Sequence, residues 1–287
     1  MTQLGLEGMP TRLYACTPSR LNKWMDCPRS YRMTYLDRPS PPKGPPWAHN
    51  SVGASVHNAL ADWWRLPDDQ RTPQVAGSLL ERHWLRDGFH DAEQADLWKK
   101  RARAMVVEYA TELDPGDEPL GVERTVAMRT DAVAVSGRVD RIDARPDEAS
   151  GEDTLVIVDY KTGRRPLTTD DARSSLALAL YALAAARVLR RSCHRVELHH
   201  LPTGEVAAWE HTDETLARHL RRAEEIAMEC AQADAAFREG LDEQRLDEVF
   251  PPRPSPMCAW CDFVRQCPEG RAAYAPRNPW DGLPQEE

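Results

Sequence analysis

Four cysteines constrain this chain more than any other residues. Cys27 stands near the start, and Cys258, Cys261 and Cys267 crowd together near the end. The late three read C-x2-C-x5-C within PMCAWCDFVRQCPEG, and the early one lies in SRLNKWMDCPRSY. Thiolates are soft ligands, and a set of four suits zinc or an iron–sulfur cluster. A single centre using all four closes a loop of about 230 residues, so both ends of the chain must meet in any fold that builds it. Closed four-cysteine zinc sites usually pair two C-x2-C units, and here one is present. Cys27-Pro28 and Cys267-Pro268 match the C-P pairs of ferredoxin cluster motifs. Cys16, Cys193 and Cys230 read as small buried hydrophobes.

Seven cysteines, with no basic stretch leading into an apolar one at the N-terminus, point to a reducing cytoplasm and to metal rather than disulfides. No run of 18 apolar residues exists, so a membrane span is not expected. With 287 residues and a 41% hydrophobic share the chain can bury a sizeable core. The net charge of −9 argues at first against a nucleic-acid partner. Net charge governs solubility and steering, however, whereas contact with DNA depends on local patches. Basic clusters occur at Lys99–Arg103, Arg164–Arg165, Arg187–Arg195 and Arg218–Arg222, and each reads as a solvated helix face.

A proline-rich linker, PSPPKGPP at 39–46, separates the Cys27 arm from the rest of the chain. Apolar spacing predicts helices over 51–65, 74–87 and 91–113. The period then changes to the valine-rich alternation of half-buried strands over 121–129, 132–144 and 154–161. A helix over 172–191 is apolar nearly all round, as expected of one packed on a sheet. A hairpin comes next over 195–202 and 205–211, turned at Thr203-Gly204, and then a long charged helix over 213–239. PPRPSP at 251–256 breaks the chain before the cysteine trio, and 276–287 reads as a tail. This order suits a mixed α/β core.

The second informative feature is acidic. Asp140 in SGRVDRID is followed, after 18 intervening residues, by Asp159 and Lys161 in LVIVDYKTG. Strand alternation puts Asp159 and Lys161 on one face and Tyr160 on the other. Two carboxylates on neighbouring strands can share one hard divalent cation. A lysine two residues on can orient or deprotonate a water and steady phosphate charge. A charged triplet ending the apolar strand Leu155–Val158 marks a site rather than a chance exposed face. His57, in Gly53-x3-His57 on the first predicted helix, is a third ligand candidate that nothing in its own surroundings selects among the nine histidines.

GRVDRID, VDYKTG and the helix carrying LALYALA, in this order, with Gly53-x3-His57 ahead of them, resemble the motifs of the PD-(D/E)XK nucleases, and more narrowly the RecB-like exonucleases. The one-plus-three cysteines and SRLNKWMDCPRSYRMTYL resemble the subgroup with a four-cysteine [4Fe–4S] cluster. That subgroup includes CRISPR-associated RecB-like exonucleases and the AddB nuclease domain. The resemblance runs from about Ser19 to Pro268. It implies a restriction-endonuclease-like mixed-sheet core, with Mg²⁺ or Mn²⁺ held by His57, Asp140, Asp159 and the Tyr160 carbonyl. Lys161 becomes the catalytic lysine, and Tyr181 matches the tyrosine of the family's Q-x3-Y motif. The glutamine of that motif is replaced by Ala177, which offers no hydrogen bond; Ser174 lies nearby on the predicted helix.

The resulting expectation is one integrated domain: an N-terminal arm with Cys27 (1–45), a helical portion with His57 (46–114), a nuclease core (115–240), a cysteine segment (241–275) and the tail. The helical portion would roof the site. Cys27, Cys258, Cys261 and Cys267 would bind the cluster, structural in role, with Trp24 and Trp260 shielding it or stacking on bases. The expected function is a metal-dependent DNA exonuclease acting on single strands or ends, in repair, recombination or CRISPR adaptation. A helicase or a CRISPR integrase is the expected partner. Two alternatives stand beside it: a DNA-binding subunit with lost chemistry, and a redox-responsive regulator.

Overall fold

The computed structural model describes residues 13–146 and 151–283. Strand β1 (Tyr14–Cys16) leads into helix α1 (Pro18–Asp26) and, across Cys27, helix α2 (Pro28–Tyr35). Thr17 caps α1 by accepting from the Arg20 N–H, and Pro18 and Pro28 open the two helices at positions where an N–H would have no partner. Helices α3 (Ala48–Trp64), α4 (Pro73–His83) and α5 (Ala92–Thr111) follow. Then come strands β2 (Gly121–Arg129), β3 (Val133–Pro146) and β4 (Asp153–Lys161). Two helices, α6 (Thr169–Ser174) and α7 (Leu176–Leu189), replace the single one expected over 172–191. Ser175 is extended between them and caps α7 by accepting from the Leu178 N–H. Strands β5 (Cys193–His200) and β6 (Glu205–Glu210) form the expected hairpin, with Gly204 at φ 68°. Helix α8 (Asp213–Glu239), α9 (Glu243–Val249) and, after two short 3₁₀ turns, α10 (Pro268–Ala273) complete the chain.

The six strands form one mixed sheet in the order β1-β3-β4-β5-β6, with β2 on the other edge of β3. β2 runs antiparallel along β3 from Ala134 to Ile142, whereas the opposite edge is shared. β1 pairs in parallel at Val133–Val135, and β4 pairs antiparallel from Arg141 onward. That edge of β3 is therefore open between Ser136 and Asp140. The opening is the floor of the candidate site.

Helices cover both faces. On one, α7 presents Leu178, Leu180 and Ala182, α8 presents Leu216, Ile226 and Cys230, and both pack against Val126, Val139, Ile142, Leu155 and Ile157. Leu21 and Trp24 of α1 and Tyr31 of α2 join this core. On the other, α3, α4 and α5 bury Val56, Trp63, Leu80, Trp98 and Val106 against Val156, Val158 and Tyr160. Each fully buried large side chain stabilises the fold by about 1.5–3 kcal/mol.

The N-terminal arm is pinned to this body. Arg20 donates to Asp234 in mid-α8 at 2.7 Å, and the Tyr31 hydroxyl donates to the other Asp234 oxygen at 2.8 Å. The proline-rich segment is tied down as well, because Gly44 N–H donates to Asp262 O at 2.8 Å. Residues 276–283 do not behave as a tail: Trp280 and Leu283 pack in the α3–α5 core, and Ala48 N–H donates to Pro279 O. The rest of the expected tail, 284–287, lies outside the described residues. No helix among the described residues is long and apolar enough to cross a membrane. Cys16, Cys193 and Cys230 are buried, as their reading as small hydrophobes anticipates.

Candidate active site

Residues flanking Asp140 break the alternation that a strand normally keeps. Val139 and Ile142, three apart, both face the α7–α8 core, while Arg141 turns to the opposite side and lies 4.9 Å from the Trp64 ring. The partner strand bends at the same level. Val122 pairs with Arg141 and Arg124 with Val139, which places Glu123 across from Asp140, and Glu123 has φ 49°. A non-glycine residue held there costs about 1–3 kcal/mol. On the other side the ladder to β4 stops at Arg141–Val158. One step further, the Tyr160 N–H bonds to Asp140 Oδ2 at 2.8 Å instead of to main chain. Glu123, Asp140 and Asp159 thus sit at corresponding levels of three adjacent strands.

His57 reaches this row from α3. Its Nε2 donates to Tyr160 O at 3.1 Å, and its Nδ1 is 3.4 Å from Asp140 Oδ1. Burial disfavours the imidazolium, but Asp140 outweighs it with help from Asp159 and Glu123, so the His57 pKa is raised. Gly53, one turn earlier, lets α3 lie close to Thr162, whose hydroxyl would be 3.4 Å from an added Cβ. Ligand atoms of His57, Glu123 and Asp140 all lie within 4.8 Å of one another. Sequence reasoning missed Glu123, because an isolated glutamate in a strand carries no motif and its place opposite Asp140 is set by ladder register.

Asp159 and Lys161 form an ion pair on the side of β4 away from Tyr160. Lys161 meets the buried Oδ2 of Asp159, and burial raises this carboxyl's pKa while Lys161 opposes the rise. An imidazole, three carboxylates and the Tyr160 carbonyl make a donor set of the type that hard divalent cations take. The cleft around them has a volume of about 650 Å³ and is also lined by Arg138, Asn58, Thr162 and Tyr181.

Tyr181 of α7 lies over the open stretch of β3. A Cβ at Gly137 would come within 2.3 Å of its ring, so glycine is what admits the tyrosine. Burial pushes the Tyr181 phenol up to about 12, which keeps it a hydrogen-bond donor at neutral pH. Ser174 does not share Tyr181's helix, contrary to the sequence expectation: it ends α6, and its hydroxyl donates to Asp170 O. Ala177 begins the first turn of α7 with no side-chain donor.

Behind the row lies a buried polar network. Trp64 Nε1–H donates to the Tyr160 hydroxyl, and the Tyr109 hydroxyl bonds to His199, whose Nε2 meets Glu197 at 2.9 Å. Arg145 and Arg195 also hold Glu197. Burial alone would raise the Glu197 pKa, but these three partners depress it strongly.

The cysteines meet elsewhere. Cys27, Cys258, Cys261 and Cys267 line one cavity of about 300 Å³ at the junction of α2, the 3₁₀ turns and α10. The Ser255 and Gly270 N–H groups point at Cys258 and Cys267 sulfurs, each at 3.4 Å, and Arg29 stands 4.0 Å from Cys267 Sγ. Trp260 lines the cavity beside Trp47 and His49. Trp24 does not; it is buried against Tyr31 and Phe250 and donates to Glu229, which removes it from both expected roles. Several members of the basic clusters are held in ion pairs, among them Arg103–Glu81, Arg165–Asp171 and Arg222–Glu225.

Over 212 residues the chain is 22% identical to a subunit of the ATP-dependent helicase/deoxyribonuclease of Alkaliphilus metalliredigens, covering 63% of this chain and 18% of that protein. The chain therefore spans under a fifth of this relative's length. A crystal structure from Eubacterium rectale, provisionally described as an exonuclease, aligns with a TM-score of 0.47 at 11% identity, over 85% of this chain and 92% of that one. The model of the PD-(D/E)XK nuclease superfamily matches residues 15–268, nearly the whole described chain, and the protein belongs to that superfamily.

Proposed function

We propose that this protein is a divalent-metal-dependent deoxyribonuclease that hydrolyses single-stranded DNA or DNA ends as an exonuclease. The observation that carries the reading is the meeting of His57, Asp140, Tyr160 and Lys161 in one cleft, with Asp159 paired to Lys161. A bound Mg²⁺ or Mn²⁺ would supply Lewis-acid activation of a phosphate oxygen and a more acidic water. Asp140 and Asp159 would hold the cation, and the Tyr160 N–H fixes the Asp140 carboxylate. Lys161, half exposed beside Asp159, orients the attacking water and steadies the charge growing on the phosphate. Tyr181 donates toward the DNA from above. The α3–α5 layer narrows access, which favours a single strand over an intact duplex.

The four cysteines are read as ligands of a structural [4Fe–4S] cluster that locks α2 to the C-terminal segment. A single zinc, with bonds of about 2.3 Å, would draw four sulfurs to within roughly 4 Å of one another. The support for a cluster is that the four cysteines line one cavity. The helicase/deoxyribonuclease relative favours a helicase as partner over a CRISPR integrase.

A second reading, a DNA-binding subunit with little turnover, draws on Ala177, because Ser174 is committed to its own helix and does not replace the missing amide. Anaerobically purified protein with Mn²⁺ and end-labelled linear or circular single-stranded DNA separates the two. Degradation of the linear form alone, lost in Lys161→Ala, is the expected result. Binding without cleavage of either substrate would establish the second reading instead.

A further inference from the structure

We propose that Glu123 is a third carboxylate ligand of the divalent cation, so that this cleft loads its metal before any DNA phosphate arrives. The inference rests on the metal-dependent reading above and adds a residue to it.

Three observations on Glu123 converge. First, it faces Asp140 across the β2–β3 ladder, and like charges directly opposite in a sheet destabilise it. Second, its backbone sits at φ 49°, a further cost in the same place. Third, a ligand atom of Glu123 lies within 4.8 Å of those of both His57 and Asp140. Two unfavourable features at one level of the sheet require something to offset them. Arg138 does so in part, with Nε 2.7 Å from Glu123 Oε2, but this arginine is exposed and lines the cleft. A divalent cation between Glu123, Asp140 and His57 would offset both costs and leave Arg138 to face the cleft.

The chemical consequence comes from ligand count. Mg²⁺ sites with one or two carboxylates usually rely on substrate phosphates to complete the coordination, and affinity rises with ligand charge. A third carboxylate makes the protein alone sufficient. Arg138 then acts as the stand-in cation of the empty site and competes with the metal for Glu123.

The test is Mn²⁺ titration of the full chain without DNA, followed by the paramagnetic resonance of free Mn²⁺. Four proteins are compared: wild type, Glu123→Gln, Asp140→Asn and Arg138→Gln. Glu123→Gln should weaken binding by at least about tenfold, and Arg138→Gln should tighten it. Melting in chelator reports whether each variant is folded. If Glu123→Gln proves unfolded, Arg138→Gln, which leaves Glu123 in place, still decides: unchanged or weaker binding overturns the proposal. Affinity within twofold of wild type in folded Glu123→Gln, with binding lost in Asp140→Asn, would overturn Glu123 alone. Unaltered binding in Asp140→Asn would instead remove the metal site on which the inference rests.

Discussion

The Tyr160 main-chain N–H donates to Asp140 Oδ2 at 2.8 Å, so a side chain takes over where the β3–β4 ladder ends. The strand carrying Asp159 and Lys161 thereby sets the carboxylate of the strand beside it. His57 closes the triangle by donating to Tyr160 O. The N–H and C=O of one residue, Tyr160, thus connect sheet and helix at the candidate metal site.

Asp140→Asn should separate fold from chemistry. The asparagine oxygen can still accept from Tyr160, so the melting temperature without metal should stay within a few degrees or rise, since a like charge beside Glu123 is gone. Cleavage should fall by at least about 10³-fold. Melting curves in chelator beside a nuclease assay give both numbers, and wild-type cleavage would exclude Asp140 from the site.

Gly137→Ala should displace Tyr181, because the new Cβ falls 2.3 Å from the ring. Overpacking of this kind costs about 1–3 kcal/mol. The double variant with Tyr181→Ala should recover much of that stability but not the cleavage. Denaturant titration of both proteins checks the first claim, and stability unchanged in Gly137→Ala would contradict the close packing.

On the proposed cluster reading, Cys261→Ser should remove a charge-transfer colour and loosen the C-terminal segment. Losing a centre that binds only the folded chain costs about 4 kcal/mol, or roughly 10 °C in melting temperature. Trypsin should then cut first at the exposed Arg265 and Arg271. Helix α1 should stay protected, since Arg20–Asp234 holds it independently. Early cutting at Lys23 would show that the cluster, not this pair, docks α1.

Glu197→Gln should be destabilising at neutral pH by about 2 kcal/mol, with the gap closing in acid. The folded pKa of Glu197 lies below its unfolded value of about 4.3, so its contribution is complete above that pH. It is lost as pH falls towards the folded value. Stability measured at pH 7, 5 and 3.5 for both proteins checks the sign. A gap that widens in acid would refute the network as described.

Local patterns in the sequence carried most of the fold. The strand period over 121–161, the apolar stretch after it and the Thr203-Gly204 turn correspond to β2 to β4, α7 and the β5–β6 hairpin. The failures are positional. Ser175 breaks a helix whose composition is continuous, because its hydroxyl caps α7, and capping depends on backbone geometry rather than on periodicity. Trp280 and Leu283 look like tail residues among polar neighbours, and only the α3–α5 layer gives them a surface to bury.

By itself, the sequence determined which residue types could do chemistry here: four thiolates split between the two ends, and a D-x18-D-x-K core with its neighbouring tyrosine. Short-range spacing encodes these, since strand alternation and motif order do not depend on distant contacts. Only the tertiary structure decided that Glu123 stands opposite Asp140, that Gly137 makes room for Tyr181, and that Trp24 belongs to the core while Trp260 lines the cysteine cavity. Those relationships depend on ladder register and on which face a helix buries. Register and facing are set by burial of the whole apolar surface at once, a property that no local stretch of the chain contains.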